Sequence, residues 1–221
     1  MNLDLFEQQP EAQAVEEKPI EIIGEQSVVL RQFASPMQHE LIAAIDQIVA
    51  QAPFRQMITP GGYVMSAAMT NCGSLGWITD QKGYRYQPLD PSTGKPWPAM
   101  PAVFETLAIQ AAALAGFDHF KPDACLINEY VVGAKMSLHQ DKNERDMSQP
   151  VVSVSLGITA NFLFGGVNRQ DKTQKILLQH GDVVVWGGVD RLRYHGILPL
   201  KAASHPLLGE RRINFTFRRA G

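Results

Sequence analysis

The sequence predicts a mostly β protein with flanking helices, organised around a jelly-roll core, and three observations carry that prediction. After Lys121, eight short runs rich in β-branched and aromatic residues follow one another: ACLINEYV, AKMSLHQ, VVSVSLG, ANFLFGG, KILLQ, DVVVWGG, RLRYHGI and RINFTFR. Turn-forming residues separate them at the spacing of an antiparallel sandwich or barrel. Helical periodicity is confined to two segments before residue 120.

The first helix follows Ser35-Pro36-Met37-Gln38, which reads as an N-cap, a proline at the first helical position and a glutamine closing a capping box. Leu41, Ile42, Ile45, Ile48 and Val49 make one apolar stripe, and Pro53 lies past its end. The second helix starts near Pro101, with Val103, Phe104, Leu107, Ala111 and Leu114 facing inward and Gly116 as the C-cap. Between them, Tyr63 to Tyr86 is rich in aromatics and methionines and is expected to add strands or a cover over the barrel. Residues 1–24 read as a flexible acidic tail, with Gln, Glu and Pro and little periodicity.

With 221 residues and 45% apolar content, the chain suits one globular domain with a sizeable core. Cys72 and Cys125 are the only cysteines, which excludes a disulfide framework and a cysteine metal cluster. No run has the length of a membrane span, and the opening MNLDLFEQQPE is acidic rather than signal-like. A cytoplasmic protein without membrane association is expected. Charge is uneven: residues 1–30 hold seven acids and one lysine, leaving nineteen bases against fifteen acids in the rest. A mildly basic body permits phosphate contacts without demanding them.

The run KMSLHQDKNERD contains His139-Gln140-Asp141. On a strand, residues two apart share a face, so both side chains would point inward together. The pair alone is weak evidence, and a solvated charged loop explains it as well. His195, in the later run RLRYHGI, supplies a second imidazole, although a lone histidine among apolar residues is more often a core residue. Two histidines and one carboxylate suit a non-haem Fe(II) centre with open positions; zinc, with hydrolase chemistry, is the competing metal. The last strand tips the balance. Arg212, Asn214, Thr216 and Arg218 alternate with Ile213, Phe215 and Phe217, and an inward face with two arginines asks for an anionic ligand such as a small dicarboxylate.

His139-x-Asp141, His195 and the terminal R-x-N-x-T-x-R together resemble the AlkB family of Fe(II)/2-oxoglutarate dioxygenases. The resemblance extends from about Val28 to Arg219 and includes FRQMITPGGY, TNCGSLGW, SLHQDK, GDVVVWGG and YHGI in that order. It implies a double-stranded β-helix over residues 121–221, with residues 25–120 forming a nucleotide-recognition cover and its supporting helices. His139, Asp141 and His195 would be the catalytic iron ligands. Asn128, Tyr130, Arg212, Asn214 and Arg218 would bind 2-oxoglutarate, with Arg212 pairing with its distal carboxylate and Arg218 nearer the iron. O2 would be the oxidant, with succinate, CO2 and formaldehyde as products.

The substrate implied is an N-alkylated base of the 1-methyladenine or 3-methylcytosine type in DNA, with RNA as a further partner. Such a base must leave the helix stack to reach a buried metal. Trp77 matches the family's stacking tryptophan, with the His139 ring on the base's other side, and Tyr84 matches a contact to the nucleic-acid backbone. Thr59, Tyr63, Met65 and Met69 fall in the recognition cover, and Arg169 matches a basic residue near the substrate. Lys135 and Lys142 are phosphate-contact candidates, though exposed lysines usually serve solubility.

Asn143 departs from the family pattern, which has an aspartate there, close to the exocyclic amine of the base. Asparagine offers a carbonyl acceptor without charge. Glu144 or Asp146 is an alternative source of that charge. A monomer is expected. The competing readings are the same chemistry on modified RNA or protein, a zinc hydrolase or cupin-type binding barrel, and a nucleic-acid-binding module without oxygen chemistry.

Overall fold

The computed structural model describes residues 20–221. Fourteen strands and two helices are formed in the order β1 (Ile20–Gly24), β2 (Ser27–Leu30), α1 (Gln38–Gln51), β3 (Arg55–Ile58), β4 (Val64–Gly73), β5 (Gly76–Asp80), β6 (Gly83–Gln87), α2 (Ala102–Leu114), β7 (Ala124–Val131), β8 (Met136–His139), β9 (Val151–Gly157), β10 (Ala160–Phe164), β11 (Gln174–Leu178), β12 (Val183–Trp186), β13 (His195–Ile197) and β14 (Arg211–Arg218). Each of the eight runs after Lys121 contains a strand, although in RLRYHGI it is only His195–Ile197. An eight-stranded sheet, β1-β2-β12-β9-β14-β7-β4-β3, faces a four-stranded sheet, β11-β10-β13-β8, and β5-β6 is a separate hairpin. Strands β2, β3 and β4 complete the large sheet, so residues 25–120 supply part of the barrel wall as well as its cover.

Two apolar layers form. The outer face of the large sheet packs Ile127, Val154, Val183, Ile213, Phe215 and Phe217 against Leu41, Ile45 and Ile48 of α1 and Phe104, Leu107 and Ala111 of α2. The inner layer, between the sheets, includes Met69, Tyr130, Phe162, Phe164, Trp186 and Ile197. Cys72 and Cys125 are free, buried and opposite one another on β4 and β7.

Three local expectations need correction. Ile20–Gly24, assigned above to the acidic tail, pairs with β2 as an edge strand; residues 1–19 lie outside the described residues. Ser35 does not cap α1. Ser35–Met37 form a 3-10 turn, Met37 occupies the α1 N-cap, and neither start has a side-chain cap. The Gln38 amide oxygen instead accepts a hydrogen bond from His180 Nε2 at 2.8 Å, so a long-range partner displaces the local box. Leu114 is exposed, because the buried stripe of α2 runs through Phe104, Leu107, Ala108, Ala111 and Ala112 and leaves the helix end in solvent. Gly116, at φ +87°, sits just past the Ala115 C-cap.

Candidate metal and substrate site

Between the two sheets lies a cavity of about 580 Å³, lined by every side chain singled out above as a candidate ligand or substrate contact. Its floor is set by the pairing of β8 with β13. His139 and His195 are cross-strand partners with ring centroids 4.4 Å apart. β8 ends at His139, so Asp141 enters from the following loop rather than from a continued strand as expected. Its carboxylate oxygens lie 3.8 Å from His139 Nε2 and 3.8 Å from His195 Nε2. The three ligand atoms lie within 4.8 Å of one another, close enough for one ion to touch all three. Gly196 keeps the strands this close: a Cβ there would stand 2.7 Å from the Met136 carbonyl oxygen of β8.

The hydrogen bonds fix the chemistry of the triad. His139 Nδ1–H donates to the Ser137 carbonyl at 2.9 Å and His195 Nδ1–H to that of Arg193 at 3.1 Å. A carbonyl can only accept, so both rings carry a proton on Nδ1 and turn Nε2 toward Asp141. Burial, with His139 beside it, lowers His195 to about 3, so the ring is neutral. Burial opposes the charge on Asp141, but the Arg218 guanidinium holds its carboxyl well below the usual carboxylate range. Arg218 grips Asp141 Oδ2 through Nε at 3.0 Å and Nη2 at 2.7 Å. Two imidazoles that turn Nε2 inward and one ionised carboxylate fit Fe(II), and the structure thereby supports the metal set expected from the sequence.

The inner face of β14 supplies the second half of the site. Arg212 is 1% exposed; its Nη2 donates to Ser155 Oγ at 2.9 Å and its guanidinium lies 5.2 Å from the Tyr130 ring centroid. Its Nε and Nη1 make no well-formed hydrogen bond, nor does Asn128 Oδ1, and Tyr130 is the polar neighbour that favours the guanidinium charge. Burial lowers the Arg212 pKa, so an anion meeting those two donors would relieve a desolvated charge. Asn214 is tied to Ser153 Oγ and the Val154 carbonyl, which orients it on the same face. Unsatisfied donors on a buried arginine fit the carboxylate of a dicarboxylate co-substrate.

At the mouth, Trp77 of β5 stacks on Tyr84 of β6, with centroids 5.6 Å apart and planes inclined by 20°. Thr59, Tyr63 and Met65 belong to the β3–β4 connection and the start of β4, with Tyr63 exposed; Met69 is fully buried. Arg169 lies over the Tyr194 ring at 5.8 Å, and Lys135 and Lys142 are exposed. Asn143 is also at the mouth, and its Oδ1 accepts the Trp77 indole N–H at 3.3 Å. The carbonyl expected to face the base is therefore engaged by the stacking tryptophan.

Sequence reasoning missed the polar cluster behind the triad. Glu144 is buried; it pairs with Arg191 Nη2 at 3.0 Å, lies 3.4 Å from Arg218 Nε and accepts from the Tyr86 hydroxyl at 2.6 Å. Its charge thus faces two arginines and cannot complement the base. Asp146 is exposed and bonded to Ser148, away from any described cavity contact. Arg191 also donates to the Asp141 carbonyl at 2.7 Å. The one signal for this cluster was the density of charge in KNERD, which reads equally well as a solvated loop.

Comparison with known proteins agrees with this geometry. Residues 26–218 match the 2OG-Fe(II) oxygenase superfamily model. The chain is 60% identical over 195 residues to the alpha-ketoglutarate-dependent dioxygenase AlkB of Escherichia coli K12, covering 88% of this chain and 90% of that protein. It is 45% identical to the AlkB homolog of Caulobacter vibrioides, over 83% and 82% of the two chains. Human nucleic acid dioxygenase ALKBH1 is 31% identical over 56% of this chain and 31% of its own. A solved structure of OsALKBH1 superposes with a TM-score of 0.79 at 30% identity, over 91% of this chain and all of that one. Among the described residues, no helix is long and apolar enough to cross a membrane.

Proposed function

This chain belongs to the AlkB family of the 2OG-Fe(II) oxygenases and is an alpha-ketoglutarate-dependent dioxygenase, and from that premise we propose that it removes N-alkyl groups from nucleobases. The carrying observation is one cavity with a His-Asp-His triad on its floor, unsatisfied Arg212 donors on its wall and an aromatic platform at its mouth. His139, Asp141 and His195 would hold Fe(II). Arg212, Asn128, Tyr130, Asn214 and Arg218 would orient 2-oxoglutarate, Arg218 while its guanidinium also holds Asp141. When bound, iron with 2-oxoglutarate and O2 supplies the oxidation: one oxygen atom goes to succinate as CO2 is lost, the other to the methyl carbon.

The residues of the chain do the rest. Trp77, backed by Tyr84, offers a flat face to a base drawn out of the stack, a contact worth roughly 1–3 kcal/mol. Thr59, Tyr63 and Met65 would shape the mouth, with Met69 deeper in the wall, and Lys135 and Arg169 would meet the phosphate backbone, since all six line the cavity. The hydroxylated methyl group leaves as formaldehyde, and the base nitrogen recovers its unalkylated form. Alkylated DNA is the proposed partner, with RNA as the alternative polymer, the names of the relatives supporting nucleic acid generally. A monomer suffices, since one chain builds the whole cavity. Two free buried cysteines suit the cytoplasm.

The test is incubation with Fe(II), 2-oxoglutarate and a 3-methylcytosine oligonucleotide under air. Succinate and loss of the methyl mass are expected. Succinate without demethylation would keep the oxygenase and remove the substrate; neither product would defeat the reading.

A further inference from the structure

We propose that Tyr86 and Glu144 are a positioning pair that clasps the β5–β6 hairpin to the loop carrying Asp141, so that the metal end and the base-stacking end of the cavity are held in register. The hairpin is a two-stranded sheet outside both larger sheets. Such a ribbon is marginal by itself and takes its position from what it touches. Its two aromatic cross-strand partners are Trp77 and Tyr86. Their polar ends reach consecutive residues of the loop after Asp141: the Trp77 indole donates to Asn143 at 3.3 Å and the Tyr86 hydroxyl to Glu144 at 2.6 Å.

From Glu144 the contacts run on to the metal ligand. Glu144 Oε1 lies 3.4 Å from Arg218 Nε, and Arg218 grips Asp141 at 2.7 Å. Glu144 Oε2 meets Arg191, which also holds the Asp141 carbonyl at 2.7 Å. Two buried carboxylates thus face two buried guanidiniums. Charge balance alone would need no tyrosine. Burial raises the Tyr86 pKa, which keeps its hydroxyl a donor. That hydroxyl joins the cluster to the hairpin, whose other ties run to β4, through Asn71 and the Trp77 backbone at 2.9 and 3.0 Å, and to the Ile58 carbonyl of β3, through Thr79 at 3.2 Å. Glu144 accepts on behalf of both bodies: moving the loop moves the hairpin, and with it the ring facing the substrate. The proposal rests on Trp77 facing the base.

Tyr86→Phe removes the hydroxyl and keeps the ring. The full chain is loaded with Mn(II) and 2-oxoglutarate, and amide hydrogen exchange is followed over residues 76–87. In the wild type, loading should slow exchange there. In Tyr86→Phe, exchange should be about three- to tenfold faster and insensitive to loading, the size one hydrogen bond supports. The KM for a 3-methylcytosine oligonucleotide should rise by a similar factor, with the effect falling on KM rather than kcat. Equal exchange in the two proteins would overturn the clasp.

Glu144→Gln is the second arm. It retains an acceptor for Tyr86 while removing the charge opposite Arg191 and Arg218. Hairpin exchange should stay near wild type while Mn(II) affinity falls about tenfold, because uncompensated positive charge then faces the ion; unchanged Mn(II) affinity would also overturn the proposal. Failure of the wild type to demethylate would sink the substrate reading alone, since the exchange arms need no nucleic acid.

Discussion

The two faces of β14 are equally buried and do opposite work. Ile213, Phe215 and Phe217 point outward against the helices; Phe215 stacks on Phe104 at 4.7 Å and meets Phe217 edge-on at 5.7 Å. Arg212, Asn214, Thr216 and Arg218 point inward and are 1–7% exposed. The apolar face is complete, with dense contacts and no polar atom to satisfy. The polar face keeps Nε and Nη1 of Arg212 without a well-formed hydrogen bond. Packing belongs to the first face and, on the function proposed above, ligand recognition to the second, although the two sets of residues alternate along one strand.

Four variants sharpen or break that comparison. The largest effect falls below the strand: His139→Ala should abolish turnover, and since His139 is half-exposed the thermal midpoint should hardly move. Near-normal succinate formation would refute the ligand set. Phe215→Ala should cost about 3–5 kcal/mol by denaturant unfolding, leaving kcat near wild type well below the melting temperature. A matching loss of kcat would mean that the two faces are coupled. Arg212→Met keeps the bulk and deletes the charge. It should raise the KM for 2-oxoglutarate about 30- to 150-fold, equivalent to roughly 2–3 kcal/mol for charged hydrogen bonds, with the thermal midpoint held or raised. A large fall in stability would show that Arg212 is structural. The smallest effect is expected at the mouth. Asn143→Asp should raise kcat/KM for cationic 3-methylcytosine relative to a neutral methylated base by about tenfold, because an ionised acceptor is roughly twice as strong. An unchanged ratio would remove Asn143 from lesion choice.

Much of this was legible from residue order because it rests on local period. Strict alternation in RINFTFR placed four polar side chains on one face, and β14 bears that out. The runs from Ala124 onward contain strands for the same reason. The triad needed more: only the match of several blocks to a known family set His195 beside His139, and the β8–β13 pairing now does so directly. What stayed hidden depends on contacts between distant residues. Glu144 meets Tyr86 across 58 positions and Arg191 across 47. No periodicity encodes such meetings, so a buried four-charge cluster looked like a solvated loop. Ser35 failed as a cap for a related reason, since Gln38 found His180 142 residues away.

Gly196 carries a consequence for how this centre could be altered. The spacing of the two imidazoles is set by a position with no side chain, where even a methyl group would press on the opposing backbone. The gauge of the metal site is therefore a property of two strands lying flush, and it cannot be widened by small steps. Remodelling this pocket for bulkier alkyl groups has latitude at the mouth, where Tyr63 and Asn143 face solvent, and almost none at the floor.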